Sequence, residues 1–326
     1  MAGRFPVSDH CDGEKFFNPP GWRQAPPFTA LPKWWWQRLV LQQGEWWPSS
    51  VPPDHKPVLP AVVGPREMAV TFIGHATFLL QLPGLTVLTD PFFSRRTSPW
   101  QWSGPRRVRP PALSLPELPA IDLVLLSHNH YDHLDLPALR WLAREHRPVI
   151  VTTLGNQAWL AARGVDRAVE LDWWQAHETH GATITVTPAQ HFAARWPWDR
   201  NRTLWGGLWL EVAGKKIYFA GDSGYAPLFG EIRRRLGAPD LALLPIGAYE
   251  PRWFMRAVHM NPEEAVRAHL DLGARLSLGM HFGTVQLTNE GLEAPLRDLA
   301  AARTALGVPE ADFTTLAFGE TRQVAG

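Results

Sequence analysis

Cysteine is nearly absent from the chain. Cys11 is the only one in 326 residues, so no intrachain disulfide can form. That usage fits a reducing compartment, and a cytoplasmic location is the expectation. Cys11 also lies far from every motif described below, which removes thiolate metal ligation. Long apolar runs are missing as well. Nothing approaches the roughly 18 consecutive apolar residues of a membrane-spanning helix. Residues 1–20 have neither the apolar core nor the cleavage pattern of a signal peptide, so none is expected. Charge of one sign is not in excess. Thirty-two basic residues face 31 acidic ones, and a net charge of +1 argues against a nucleic-acid partner. Lysine is scarce, with five against 27 arginines, a choice that favours forked contacts to phosphates and carboxylates. There are no internal repeats or low-complexity tracts. The 45% hydrophobic content supports a large core, and one α/β domain of this length is ordinary.

What the chain does have is concentrated in Ser127-His128-Asn129-His130-Tyr131-Asp132-His133-Leu134-Asp135. Three histidines and two carboxylates fall within nine residues. The preceding run, Ile121–Leu126, reads as a buried strand. The following Leu136–Leu142 reads as a helix start, with an early Pro137 and Asp135 placed to cap it. Side chains two apart on extended backbone share a face, so His128 and His130 can grip one ion together. Asp132 and His133 turn elsewhere and could hold a second. Imidazole and carboxylate at this density suit Zn²⁺ or a similar borderline cation.

This H-x-H-x-D-H pattern resembles the signature of the metallo-β-lactamase superfamily. Further words narrow the resemblance: Gly74-His75-Ala76-Thr77, Thr89-Asp90-Pro91, Gly221–Tyr225, Pro245–Met255 and Met280–Thr284. Together they are similar to N-acylphosphatidylethanolamine phospholipase D and its bacterial relatives, from about Ala69 to the C-terminus. The resemblance implies an α/β fold, a four-layer αβ/βα sandwich, with the site along one sheet edge. It implies His191 as the third ligand of the first metal, Asp222 as a carboxylate bridging both, and His281 as the last ligand. The expected sets are then His128, His130, His191 and Asp222 for one Zn²⁺, and Asp132, His133, Asp222 and His281 for the other. Asp90 takes the superfamily's place for a carboxylate that hydrogen-bonds a metal-bound histidine. Gln101, Trp102, Tyr131 and His259 match positions on the substrate side. In the resembling family a basic residue follows the third ligand by three or four positions. Here Ala194 and Arg195 stand there, which leaves that phosphate contact open.

In chain order, residues 1–65 form a Pro- and Trp-rich arm, with one short helix expected near Lys33–Gln43. Its Trp22, Trp34–Trp36 and Trp46-Trp47 suit either a membrane interface or burial against the domain. The resemblance implies that residues 66–326 form the metallo-β-lactamase-fold hydrolase domain. Strands are expected at Ala69–Ile73, Thr77–Leu82 and Leu85–Thr89, with Pro83-Gly84 as a hairpin turn. His75 belongs either to the site or to a buried loop. Phe92–Pro111 interleaves arginines with Trp100 and Trp102, a mixture that matches a phospholipid headgroup beside an acyl chain. Later strands are expected at Val149–Thr153, Ala168–Leu171, Ala182–Thr187, Lys215–Gly221, Leu241–Ile246, Leu276–Met280 and Phe313–Phe318. Helices are expected near Asn156–Arg163, Pro227–Leu236, Pro262–Leu270 (capped by Asn261) and up to Leu306. His177 and His180 read as a solvated polar loop, and His269 as structural.

The reaction implied is phosphodiester hydrolysis, with a metal-activated hydroxide as nucleophile and with Asp132, Asp222 and Tyr131 as catalytic groups. The implied partners are a phospholipid substrate and a membrane surface touched from outside; a homodimer is compatible. A soluble phosphodiester, a lactone or a nucleic acid as substrate is the alternative reading, and a non-catalytic metal-dependent binding protein is a third.

Overall fold

In the computed structural model, which describes residues 4–324 apart from 62, 65 and 66, the strands assemble into two seven-stranded mixed sheets. The expected boundary between arm and domain falls on residues outside those described. The first sheet contains β1 (Met68–Gly74), β2 (Thr77–Leu82), β3 (Leu85–Thr89), β4 (Leu123–Leu126), β5 (Val149–Thr153) and β6 (Ala168–Leu171). The second contains β7 (Ala176–Thr179), β8 (Ala182–Thr187), β9 (Gly207–Val212), β10 (Lys215–Phe219), β11 (Leu241–Pro245), β12 (Leu276–Met280) and β13 (Phe313–Thr314). The last strand, β14 (Thr321–Val324), returns to pair antiparallel with β1. Each sheet begins as antiparallel hairpins and continues as parallel strands, β3 through β6 and β10 through β13.

Period-two alternation decides how the sheets stack. Phe72, Phe78, Leu80, Val87, Leu123 and Leu125 join one core with Ile184, Leu208, Leu210, Ile217 and Leu243 of the second sheet. Their neighbours Ile73, Leu79, Leu88, Val124 and Leu126 pack instead with Leu139, Leu142 and Leu160. Those three come from α2 (Leu136–Glu145) and α3 (Gln157–Ala161), which cover the outer face. On the far side lie α4 (Leu228–Leu236), α6 (Pro262–Leu272) and α7 (Ala294–Leu306), so the layers run helix, sheet, sheet, helix. This is the expected αβ/βα sandwich. Burying each such Leu or Phe contributes roughly 1.5–3 kcal/mol.

Capping follows the sequence. Asp135 is the N-cap of α2, and Asn261 forms a reciprocal capping box with Glu264 at the start of α6. Several expectations need correction: β9 and β14 have no expected counterpart, and the strand expected at Phe313–Phe318 is only Phe313–Thr314. His177 is not in a loop but on β7, an edge strand paired with β8, because its neighbours supply ladder partners that a polar composition conceals. The arm helix α1 (Leu31–Leu39) starts earlier and ends sooner than 33–43, with Pro32 in its first turn.

The arm lies against the sandwich. Cys11 and Phe16 are buried, and His10 stacks on Trp173 at 4.2 Å and bonds Asp172 Oδ1 at 2.8 Å. Trp34 stacks nearly parallel on Phe254 (5.7 Å), in α5 (Arg252–Met255), while its Nε1 donates to Asn289 Oδ1 at 3.0 Å. Trp35 and Trp36, by contrast, remain 58% and 53% exposed.

Candidate metal centre

The C-terminal ends of β3, β4, β8, β10 and β12 converge at one edge, and each passes into a residue of the site: Asp90, Ser127-His128, His191, Asp222 and His281. Parallel register sets β3 beside β4, with Thr89 opposite Leu125. The approach of β10 to β4 depends on Gly221: at φ +57° a Cβ there would stand 2.6 Å from Ser127 Cβ. Backbone strain collects here as well. Asp90, His75 and His281 hold left-handed φ of 26°, 60° and 63°, which side chains other than glycine rarely adopt.

Eight donor residues meet in two groups. The ligand atoms of His128, His130, His191 and Asp222 lie within 4.8 Å of one another, as do those of His75, Asp132, His133 and His281. Asp222 Oδ2 sits between the groups: 3.1 Å from His133 Nε2, 3.2 Å from His281 Nε2, 3.8 Å from His191 Nε2 and 3.9 Å from His128 Nε2. A carboxylate in that position can reach donors of both groups. His75, left open by the sequence, belongs to the site. Its Nε2 is 3.0 Å from Asp132 Oδ2, and its backbone carbonyl accepts from His281 N–H at 2.8 Å.

Outer hydrogen bonds determine which ring nitrogens carry protons. Asp90 Oδ2 accepts from His133 Nδ1 and from Ser127 Oγ, each at 2.5 Å, and Asp90 Oδ1 accepts from Ser127 N–H at 2.8 Å. Since the Ser127 hydroxyl spends its proton on Asp90, it accepts from His128 Nδ1, 2.9 Å away. His191 Nδ1 donates to the carbonyl of Val258 at 2.9 Å. In their neutral forms His128, His133 and His191 would therefore present bare Nε2 atoms inward. Asp90, expected to hold one histidine, orients two.

The donor set fits cations. His130 Nδ1 faces His128 Nε2 at 2.8 Å and His191 Nε2 at 3.3 Å, and one proton cannot satisfy all three nitrogens. Among the described residues, the buried His133 Nε2, His281 Nε2 and Asp222 Oδ1 have no hydrogen-bond partner. Burial holds His128 well below its ordinary pKa, His130 at about 3 and His191 at about 4, as neutral ligands should be. Burial also lowers His133 and His281, but Asp222 and its companion carboxylates overcome it. They push His281 up to about 9 and His133 well above its usual range. Burial would raise Asp132 and Asp222, yet the His133 charge holds both far below the usual carboxylate range. A divalent cation would displace those two imidazolium protons.

The residues expected on the substrate side divide. His259 is buried against the cluster, its ring 5.1 Å from His191 and 5.3 Å from His281. Tyr131 is half-buried under the guanidinium of Arg195, 3.9 Å from its ring centroid. Gln101 turns its amide back to Arg96 and Ser98 of its own loop, and Trp102 is 77% exposed, stacked on Trp100. Arg195 donates through Nη1 to the carbonyls of Asn129 (2.8 Å) and Leu134 (2.9 Å), so it braces the histidine loop at both ends. Two participants carry no signal in the sequence. Ser127 works through space on Asp90. From the arm, Asn18 donates to the carbonyl of His191 and accepts its N–H, at 3.1 and 3.3 Å.

Residues 86–282 match the family model described as the β-lactamase superfamily domain. An uncharacterised protein of Mycobacterium tuberculosis is 43% identical over 241 residues, 72% of this chain and 64% of that protein. The chain thus spans just under two thirds of the length of such relatives. The N-acyl-phosphatidylethanolamine-hydrolyzing phospholipase D 1 of Caenorhabditis elegans is 39% identical over 265 residues, 77% of this chain and 74% of that protein. Among solved structures, one described as a possible metal-dependent hydrolase of Veillonella parvula superposes with TM-score 0.64 at 19% identity, over 78% of this chain and 98% of that one. The chain belongs to the β-lactamase superfamily.

Proposed function

We propose that the chain is a zinc-dependent phospholipase D that hydrolyses N-acylphosphatidylethanolamine, or a similar glycerophospholipid, to phosphatidic acid and an N-acylethanolamine. The observation that carries this reading is the paired donor cluster in a chain 39% identical to an N-acylphosphatidylethanolamine-hydrolysing enzyme. His128, His130, His191 and Asp222 would hold one ion, and Asp132, His133, Asp222 and His281 the other. When bound, such a pair supplies an activated water and Lewis-acid charge at a phosphodiester. Asp90 and Ser127 turn the Nε2 atoms of His133 and His128 inward, the Val258 carbonyl does the same for His191, and His75 orients Asp132. Burial raises the pKa of Tyr131, so its hydroxyl stays protonated beside the histidine loop, able to donate to a phosphate oxygen. Exposed Trp35, Trp36, Trp100 and Trp102 provide indoles for a bilayer interface.

Among the described residues neither a free thiol nor a lysine-paired histidine stands at the donor cluster to offer a covalent route. The one thiol, Cys11, is buried in the arm, and no lysine stands two residues after a histidine. The phosphorus–alkoxide bond should therefore break in a single displacement by water. In ¹⁸O water, label should enter the phosphatidic acid and never the N-acylethanolamine. Added ethanol should yield no phosphatidylethanol. Substantial phosphatidylethanol would assign the nucleophile to a side chain and overturn the reading, and turnover of soluble diesters in preference to vesicles would move the substrate class away from lipids.

A further inference from the structure

Beside Tyr131, and outside the donor cluster, lies a cavity of about 350 Å³ lined by Arg96, Arg140, Arg163 and Arg195 together with Trp159. Among the described residues, none of these four guanidiniums forms an ion pair. The one carboxylate in the wall, Asp135, is already engaged by the N–H groups of Phe93, Ser94 and Ala138 and by the Ser94 hydroxyl. Arg96 spends Nε and Nη1 on the carbonyls of Gln101 and Gly104, and Arg195 spends Nη1 on those of Asn129 and Leu134, but the other two keep most of their donors free. Arg140 uses only Nε, on the carbonyl of Arg163 at 2.6 Å, and Arg163 only Nη1, on the carbonyl of Trp159 at 3.0 Å. Arg163 and Arg195 both stack on the Trp159 ring, 4.0 and 4.9 Å from its centroid. Two guanidiniums on one indole, with two more in the same wall, repel one another until an anion enters.

We propose that this cavity is a phosphoryl-group subsite separate from the metal centre. Guanidinium forks bind phosphate oxygens in pairs, and a phosphoryl dianion has oxygens enough to meet several forks at once, which a single carboxylate does not. The four arginines come from the irregular 92–111 loop, from α2, from the turn after α3, and from the segment after His191, so the folded chain assembles the site. Its rim fits a phosphoryl group carried by a lipid. Trp196 lines the cavity and stacks on Trp198 at 5.0 Å, and it meets Trp100 edge-on at 5.7 Å; Trp198 is 71% exposed. The same guanidiniums would take a soluble phosphate ester, so the two sources have to be separated by experiment. Binding here requires neither the metal pair nor the proposed reaction.

The test is calorimetric titration of the metal-loaded full chain with inositol 1,4-bisphosphate. Beside it runs vesicle co-sedimentation with phosphatidylcholine alone and with phosphatidylinositol 4-phosphate added. Arg140→Ala/Arg163→Ala is the variant, since both side chains stand clear of the metal ligands. Its affinity for the bisphosphate should fall roughly tenfold or more, the loss expected when charge-assisted hydrogen bonds are removed, with metal content unchanged. A phosphoryl group bound at the metals would survive the variant, so only the cavity accounts for that loss. A lipid source predicts that the phosphoinositide increases vesicle binding of the parent and not of the variant. A soluble source predicts the calorimetric loss with no such difference on vesicles. Arg140→Glu, at an exposed position, repeats the test should the double variant unfold. Equal affinities of parent and variants for the bisphosphate would overturn the proposal, as would citrate binding as tightly with the same sensitivity to Arg140 and Arg163. Absence of phospholipase activity would sink the proposed reaction and leave these outcomes readable.

Discussion

Asp90→Asn is the most informative single change at the metal centre. The carboxylate accepts three hydrogen bonds: Ser127 N–H on Oδ1, and Ser127 Oγ–H and His133 Nδ1–H on Oδ2. An amide of the same shape must put its NH₂ at one of the two oxygen positions. At Oδ2 it confronts two donors, and His133 escapes by moving its proton to Nε2, the atom 3.1 Å from Asp222 Oδ2. At Oδ1 it confronts the Ser127 amide. Either arrangement leaves a buried donor unsatisfied, at about 1–3 kcal/mol, and the first also blocks a metal-ligand nitrogen. Changing such an outer partner lowers metal affinity by roughly 10–100-fold, or about 1.4–2.7 kcal/mol at 1.36 kcal/mol per decade. Competition with a chromophoric zinc chelator measures the affinity, and chemical denaturation of the metal-free chain measures the stability separately. Ser127→Ala should have a smaller effect of the same kind, because it frees only His128 Nδ1 while His133 keeps its partner. Metal affinity in Asp90→Asn within twofold of the parent would refute the tautomer argument.

Membrane contact should depend on Trp35 and Trp36 rather than Trp34, which is engaged with Phe254 and Asn289. Trp35→Ser/Trp36→Ser should reduce vesicle co-sedimentation several-fold with metal content unchanged, whereas Trp34→Ser should lower stability. Asp222→Asn should lose both ions and His281→Ala mainly one, by metal analysis of the purified proteins, because only Asp222 lies between the groups. Docking of the arm should depend on pH through His10. Burial lowers its pKa, but hydrogen bonds to Asp172 and Asp9 outweigh that and raise it above 6.5. A raised imidazole stabilises the fold fully below its unfolded pKa and stops doing so as pH climbs through the folded value. Proteolysis of residues 1–30 should therefore accelerate above neutral pH, and His10→Asn should abolish the dependence; an unchanged pH profile in that variant would exclude His10 as its source.

Much of this protein was determined locally. A strand, a metal-binding loop and a capped helix follow from Ile121–Leu142 alone, since alternation, His spacing and the Asp135 cap are short-range properties. The capping box at Asn261 and the parallel strands are equally local. Other features depend on what the fold brings alongside. Strand β9 has no counterpart among the expected strands because it opens on Gly207, preceded by Gly206, both locally poor strand formers. The sheet requires them, since a Cβ on Gly206 would lie 2.6 Å from the Thr187 carbonyl oxygen. Whether His75 served the site was undecidable from its neighbours, because its partner Asp132 is 57 residues away. The proton positions on His128 and His133 depend on Asp90, on a different strand, acting partly through a serine hydroxyl. Arg195 stands where a phosphate contact was sought; it braces the histidine loop and also lines the arginine cavity. Residue type and spacing specify which groups could ligate a metal. Which nitrogen is bare, which carboxylate lies between two groups and which arginines lack a counter-ion are through-space quantities, and only the packed sheets set them.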